Sequence, residues 1–202
     1  MNKTELLNSL KRKGFPSKIL DAFSKVKREN FIPDKLKEKA YEDTALPIGE
    51  KQTISQPYTI ATMLSLLDLK KGQKVLELGS GCGYVLALLS EIVDKKGKVY
   101  GIEIIPELAE KSKLNLKGYK NIKIHNKDGR EGLEEAAPFD RILISAAIER
   151  IPDKIFHQLK DKGMLVAPIG PKYSQSLVAI QRNKDDLKIK EQLQGFIFVP
   201  FV

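Results

Sequence analysis

Three glycines at alternate positions, Gly79, Gly81 and Gly83, separate an apolar run, Val75-Leu76-Glu77-Leu78, from a second apolar segment of helical length, Val85 to Val93. Residues without a Cβ take positive φ at little cost and let a small molecule lie against the main chain. Two carboxylates flank the turn: Glu77 just ahead of it, and Glu103 at the end of Lys98-Val99-Tyr100-Gly101-Ile102-Glu103. An acidic residue roughly 20 positions past such a turn is placed to accept from the hydroxyls of a ribose. The glycine spacing is not GxGxxG and no GK[ST] follows, so the loop does not read as a pyrophosphate cradle. Negative charge at Glu77 would oppose a pyrophosphate but suits an ammonium or a sulfonium, and S-adenosylmethionine fits this pattern better than NAD does. Taken alone, the glycines also fit a purely structural strand-to-helix turn.

Two more places stand out. Ser55 stands just ahead of Pro57, where proline favours the first turn of a helix, so its hydroxyl reads either as an N-cap or as a donor at a partly positive helix end. Asp128-Gly129, taken by itself, reads as an ordinary turn. Cys82 is the single cysteine, which rules out an internal disulfide and a multi-cysteine metal site. His125 and His157 are far apart with no ligand spacing around them, and no metal is expected.

These residues need a scaffold. The spacing of Leu6, Leu7 and Leu10 predicts a helix over 3–12, and that of Ile19, Leu20, Phe23 and Val26 a second over 17–27, with Ser17 as its N-cap. Residues 40–49 read as an irregular extended loop, and Tyr58 to Leu67 as a helix. Strand-like runs then alternate with helical ones: 75–78, 98–103, 121–126, 139–147 and 162–170 against helices at 85–93, 106–117 and 151–160. Alternating segments at 176–180 and from Leu187 onward follow. A βαβα progression ending in paired strands predicts an α/β fold: a doubly wound, mostly parallel Rossmann-like sheet with an N-terminal helical cap and antiparallel C-terminal edge strands. The division expected is a cap with an active-site loop over 1–58 and a cofactor-binding α/β unit over 59–202.

Composition narrows the class. At 202 residues the chain is long enough for one good-sized α/β unit with an extension. The formal charge of +9 comes from 35 basic against 26 acidic residues. The lysines are interspersed with Glu and Asp, which describes a solvated surface more than a nucleic-acid face. No run reaches the length of a membrane span and the basic start lacks a signal-peptide core, so a cytoplasmic protein without membrane or nucleic-acid partners is expected, as a monomer.

Arg28-Glu29-Asn30-Phe31-Ile32-Pro33, Ala40-Tyr41-Glu42-Asp43, Leu46-Pro47-Ile48-Gly49 and Gln52-Thr53-Ile54-Ser55-Gln56-Pro57 resemble, in order, the signatures of the protein-L-isoaspartate O-methyltransferases. The glycine loop and the later segments follow in that family's order, so the resemblance spans nearly the whole chain. It implies a class I methyltransferase fold, S-adenosyl-L-methionine as cofactor, and Ser55 as the active-site residue. It also implies a cofactor-binding set of Thr53, Ile54, Ser55, Glu77, Gly79, Ser80, Gly81, Cys82, Gly83, Glu103, Asp128 and Gly129. The implied substrates are damaged polypeptides carrying isoaspartyl residues, whose freed carboxylate is methylated so that a succinimide can reform. Glu50-Lys51, Val85 and Ile148-Glu149-Arg150 depart from the family pattern. Ser145-Ala146-Ala147 stands where amino-directed nucleobase methylases carry [ND]PP[YF]. Two other readings remain at this level: a nucleic-acid methyltransferase on the same sheet, and a cofactor binder that has lost turnover.

Overall fold

A computed structural model describes residues 1–184 and 186–201. Its frame is a seven-stranded sheet made of β3 (Lys74–Leu78), β4 (Lys98–Glu103), β5 (Ile122–Asn126), β6 (Phe139–Ile144), β7 (Leu159–Ile169), β8 (Gln175–Asn183) and β9 (Asp186–Phe196). The spatial order is β5-β4-β3-β6-β7-β8-β9. The first five are parallel, and β8 and β9 are antiparallel additions at one side. Sequential strands run outward from β3 in one direction and then resume at β6 on its other flank, which puts the topological switch point between them. Ligands of open α/β sheets bind beyond the strand ends at this point.

Alternation along each central strand divides the core. Val75, Val99 and Leu143 face a cluster that also holds Leu6, Leu10, Phe23, Leu64 and Leu88, whereas Leu76, Ile102, Ile142 and Ile144 face a second cluster with Phe139, Ile155 and Leu159. Strands buried on both faces explain why these runs are continuously apolar instead of alternating with polar residues. On the first face lie α1 (Lys3–Arg12), α2 (Ser17–Lys25), α3 (Pro57–Leu67) and α4 (Tyr84–Val93), with α5 (Pro106–Asn115) contributing Leu108. The short α6 (Asp153–His157) serves the other face through Ile155. Buried Arg141 donates through Nε to the Leu67 carbonyl at 2.6 Å and through Nη2 to the Asp68 carbonyl at 2.9 Å, satisfying the orphan acceptors at the end of α3.

Several expectations are corrected. The helix expected from Ser17 has Pro16 at its N-cap, and Ser17 is its first helical residue. Residues 40–49 are not irregular throughout: β1 (Leu46–Gly49) pairs antiparallel with β2 (Gln52–Ile54) as a hairpin turning through Glu50 and Lys51, both at positive φ. Ser55 does not cap α3; Gln56 holds the N-cap position, while the Asp43 carboxylate accepts from the Tyr58 amide at 2.8 Å. The helix expected over 151–160 shrinks to α6 because β7 begins at Leu159, three residues before the expected start. There Phe139 pairs with Leu159, and the strand accommodates an irregularity with Lys162 at positive φ before Gly163. Among the described residues no helix is long and apolar enough to cross a membrane, and no cluster of three metal-ligating side chains occurs.

Gly83 shows how tightly the glycine turn is packed. It sits at φ +86, and a Cβ built on it would lie 2.4 Å from Ser112 Oγ and 2.7 Å from Leu116 Cδ1. Gly83→Ala should therefore cost about 2–4 kcal/mol in denaturant unfolding, combining left-handed strain with overpacking. Gly118→Ala, where a Cβ meets nothing within 4 Å, should be close to neutral in the same experiment.

Candidate active site

The end of β3 turns through Gly79, Gly81 and Gly83, all at positive φ. The Gly79 and Ser80 amides both donate to the Ile102 carbonyl, at 2.9 and 3.0 Å, and the Gly83 amide donates to the Ser80 carbonyl at 2.9 Å. The Gly81 amide donates to Glu103 Oε2 at 2.7 Å. Four loop amides are thus used internally and do not form the open nest that a phosphate requires. The loop is a bare wall rather than an anion cradle.

Glu103 is buried at the end of β4. Its Oε1 accepts from the Ile105 amide at 2.9 Å while Oε2 holds Gly81. Asn126 on β5 fixes the same corner, donating through Nδ2 to the carbonyls of Glu103 and Ile104 at 2.9 and 3.0 Å. Each Glu103 oxygen keeps further acceptor capacity, and the residue lines a pocket with Gly79, Gly81, Ile104, Gly129 and Ser145. Ser145, at the end of β6, donates from Oγ to Glu77 Oε1 at 2.7 Å. Glu77 is 1% exposed, its Oε2 has no partner among the described residues, and burial pushes its carboxyl up to about 8, so the negative charge expected of it near neutral pH is corrected to a protonated acid.

The predicted site residues separate by what they face. Thr53, Gly79, Gly81, Glu103 and Gly129 line the pocket. Ile54 is buried in the core. Cys82 is buried as well, its thiol pushed up to about 11 by desolvation, while its carbonyl accepts from Asn115 Nδ2 at 3.0 Å. Ser80 Oγ is buried near Gly101 without a partner among the described residues, and Gly83 packs against α5. Asp128 precedes Gly129 but is not among the residues lining the pocket; Arg130 engages it through Nε and Nη2 at 2.9 and 2.7 Å and holds its pKa below the usual carboxylate value.

Ser55 is half-buried and lines a second cleft with Thr44, Ala45, Gln56, Thr59, Phe198 and Val199. Thr53 and Val199 line both this cleft and the pocket beside Glu103. Sequence reasoning missed Ser145 and Phe201 as lining residues. The tail is tied down by Val199 O accepting from Ala147 N at 2.8 Å and by Phe201 N donating to Ala147 O at 2.9 Å. The Phe201 ring packs over Gly129, where an added Cβ would come within 2.8 Å of it. A signal for Ser145 existed: the strand read over 139–147 contains it, although β6 itself ends at Ile144, which pairs with Leu78 just ahead of the glycine turn.

Glu77 has a measurable consequence. An unfolded glutamate titrates near 4.3, about 3–4 units below the value in the fold, so between the two the native protein keeps a proton that the unfolded chain has released. Stability from this group is fully present below the unfolded value and is lost as pH rises toward 8. Glu77→Gln keeps an acceptor for Ser145 and removes the ionisation. In urea unfolding from pH 5 to 9 without cofactor, the variant should gain on wild type by a few kcal/mol toward the alkaline end. A constant difference across the range would contradict the assignment.

Known proteins are similar to this chain over most of its length. The family model described as protein-L-isoaspartate(D-aspartate) O-methyltransferase matches residues 1–202. A protein-L-isoaspartate O-methyltransferase of Methanothrix thermoacetophila is 44% identical over 204 aligned positions, covering 100% of this chain and 95% of the relative. A solved structure named protein-L-isoaspartate O-methyltransferase superposes with a TM-score of 0.90 at 30% identity, covering 98% of this chain and 65% of that one. Another, described as such an enzyme from Plasmodium falciparum in complex with S-adenosyl-L-homocysteine, superposes at 0.85 with 28% identity, covering 100% of this chain and 99% of that chain. With the sheet, the glycine turn and a match over its full length in agreement, the chain belongs to the protein-L-isoaspartate(D-aspartate) O-methyltransferase family.

Proposed function

We propose that this chain methylates the free carboxylate of L-isoaspartyl residues in damaged polypeptides, with Ser55 orienting the acceptor and the pocket beside Glu103 holding S-adenosyl-L-methionine. The observation that carries this reading is the junction of two clefts, one lined by Ser55 and one by Glu103, through shared walls at Thr53 and Val199. A donor in one cleft and an acceptor in the other would meet at that junction.

The residues suit the cofactor. Gly79 and Gly81 offer a Cβ-free wall, and a Cβ on Gly79 would already lie 3.6 Å from that of Ala146. Glu103, fixed by two amides, has acceptor capacity left for a pair of hydroxyls, whose ordering is then largely prepaid. Gly129, under Phe201, would support the flat base, with Asp128 just ahead of it in the chain. When bound, S-adenosyl-L-methionine supplies an electrophilic methyl on a sulfonium.

The chain's remaining task is orientation. A carboxylate, with a pKa near 4, is already ionised at neutral pH, so no general base is needed. The residues at the junction fit that requirement: Thr53 and Ser55 offer hydroxyls, while neither histidine, Cys82 nor a lysine lines either cleft. Holding a nucleophile in line with the reacting carbon is worth up to about 7–11 kcal/mol in well-oriented systems. The Ser55 hydroxyl, which makes no bond to another described residue, is available to donate to one acceptor oxygen and leave the other to react. The half-open cleft, walled by the hairpin and the tail, suits a main chain of varied sequence. Methylation here forms an ester; the next main-chain amide nitrogen can attack its carbonyl, forming the imide C–N bond as the C–O bond to the methoxy group breaks and methanol leaves, which a free carboxylate does not permit.

Ser55→Ala should bind S-adenosyl-L-homocysteine within a few-fold of wild type in calorimetry while methyl transfer to an isoaspartyl peptide falls by about 100-fold, the scale of a small misplacement. Near-normal turnover would remove Ser55 from its role. Glu103→Ala should raise the dissociation constant of the same ligand by about tenfold or more, because charge-assisted bonds and the loop's anchor vanish together.

A further inference from the structure

The Arg28–Pro33 segment has so far had no part in the chemistry, yet it holds a buried cation with donors unpaired among the described residues. Arg28 is 0% exposed, and its Nε and Nη1 have no partner among the described residues. Among the described residues its Nη2 donates to the Thr44 carbonyl at 3.2 Å, and the Tyr84 hydroxyl also bears on the guanidinium. The guanidinium lies over the ring of Tyr84, 5.3 Å from the centroid. Burial lowers its pKa, with Tyr84, Cys82 and Asp43 opposing the shift. A fully buried cation with two idle donors is a poor way to stabilise a core, since an apolar side chain of similar volume often does as well or better.

What the arginine touches differs from an ordinary core contact. Tyr84 is the first residue of α4, immediately after Gly83 of the cofactor turn. Thr44 forms part of the cleft that holds Ser55, and its neighbour Asp43 accepts from the Tyr58 amide in the first turn of α3. One planar group therefore spans from the glycine turn to the wall of the acceptor cleft. Few other side chains have the length and the flat face to do both.

We infer that Arg28 is a positioning residue, which sets the Thr44 wall of the acceptor cleft against the glycine turn and so fixes the acceptor relative to the methyl donor. The inference rests on the assignment of the two clefts made above. It places the arginine's contribution in acceptor binding and alignment, and not in stability or in cofactor affinity.

The test compares Arg28→Met and Arg28→Lys with wild type in three measurements: thermal unfolding, calorimetric binding of S-adenosyl-L-homocysteine, and initial rates on an isoaspartyl peptide with saturating S-adenosyl-L-methionine. Arg28→Met should unfold at the wild-type temperature or above it and bind S-adenosyl-L-homocysteine within about threefold, while KM for the peptide rises about tenfold or more, the scale of one lost charge-assisted bond. Arg28→Lys, whose ammonium can still donate to the Thr44 carbonyl, should recover part of that KM. A purely structural arginine would give a different pattern in Arg28→Met: a lower unfolding temperature or failure to fold, with KM unchanged in the folded fraction. Either that pattern or a wild-type KM in Arg28→Met overturns the inference. If wild-type protein itself transfers no methyl to the peptide, the underlying cleft assignment fails, and this inference with it.

Discussion

The structure turns on a carboxylate used from inside. Glu103 is gripped by the amides of Gly81 and Ile105, and that pair of bonds fastens the glycine turn after β3 to the end of β4. A buried carboxylate that accepts from two amides is both satisfied and oriented, and the loop it holds cannot offer those amides to an anion. The Ile102 carbonyl takes two more of them. The resulting pocket is poor for phosphates and well suited to a ligand with hydroxyls and no net negative charge near the turn. The absence of a GxGxxG pattern in the sequence and the spent amides in the structure thus describe one physical fact.

Two carboxylates on one face of the sheet, Glu77 and Glu103, stand in different surroundings. Glu103 has amide donors; Glu77 has only the Ser145 hydroxyl, and desolvation dominates. The first is arranged to accept, the second to remain protonated near neutral pH. No third group near the junction is arranged to take a proton from the acceptor, which agrees with chemistry on an acid that is already ionised. A site that needs no base can spend its structure on alignment. The pairing of β1 with β2, the Asp43 bond to α3, the Arg28 bond to Thr44 and the tail bonds at Ala147 all serve to fix the walls of two adjoining clefts.

Much of this was readable in the residues, for identifiable reasons. Strands such as Leu76–Leu78 and Ile142–Ile144 are buried on both faces, so they stand out as continuous apolar runs between helical segments, and the parallel order follows from the alternation. The hairpin was hidden because Leu46–Gly49 contains a proline and a glycine and spans only four residues, although its alternation of buried and exposed positions is that of a strand. Ser55 resembled a cap because Pro57 marks a helix start; the capping bond comes instead from Asp43, a partner that local sequence does not reveal. Cys82, Ser80 and Gly83 lie within the cofactor signature, but their side chains or missing Cβ serve the packing of the turn. Arg28 could not be read as buried, since arginine is nearly always exposed and only the folded chain brings Thr44 and Tyr84 together around it.

The most direct test of the account is the acceptor itself. Purified protein incubated with methyl-labelled S-adenosyl-L-methionine and two peptides, identical except for an aspartyl or an isoaspartyl linkage at one position, should place base-labile label on the isoaspartyl peptide alone. Equal labelling of the two peptides, or label that resists base, would contradict a site built to align that one carboxylate.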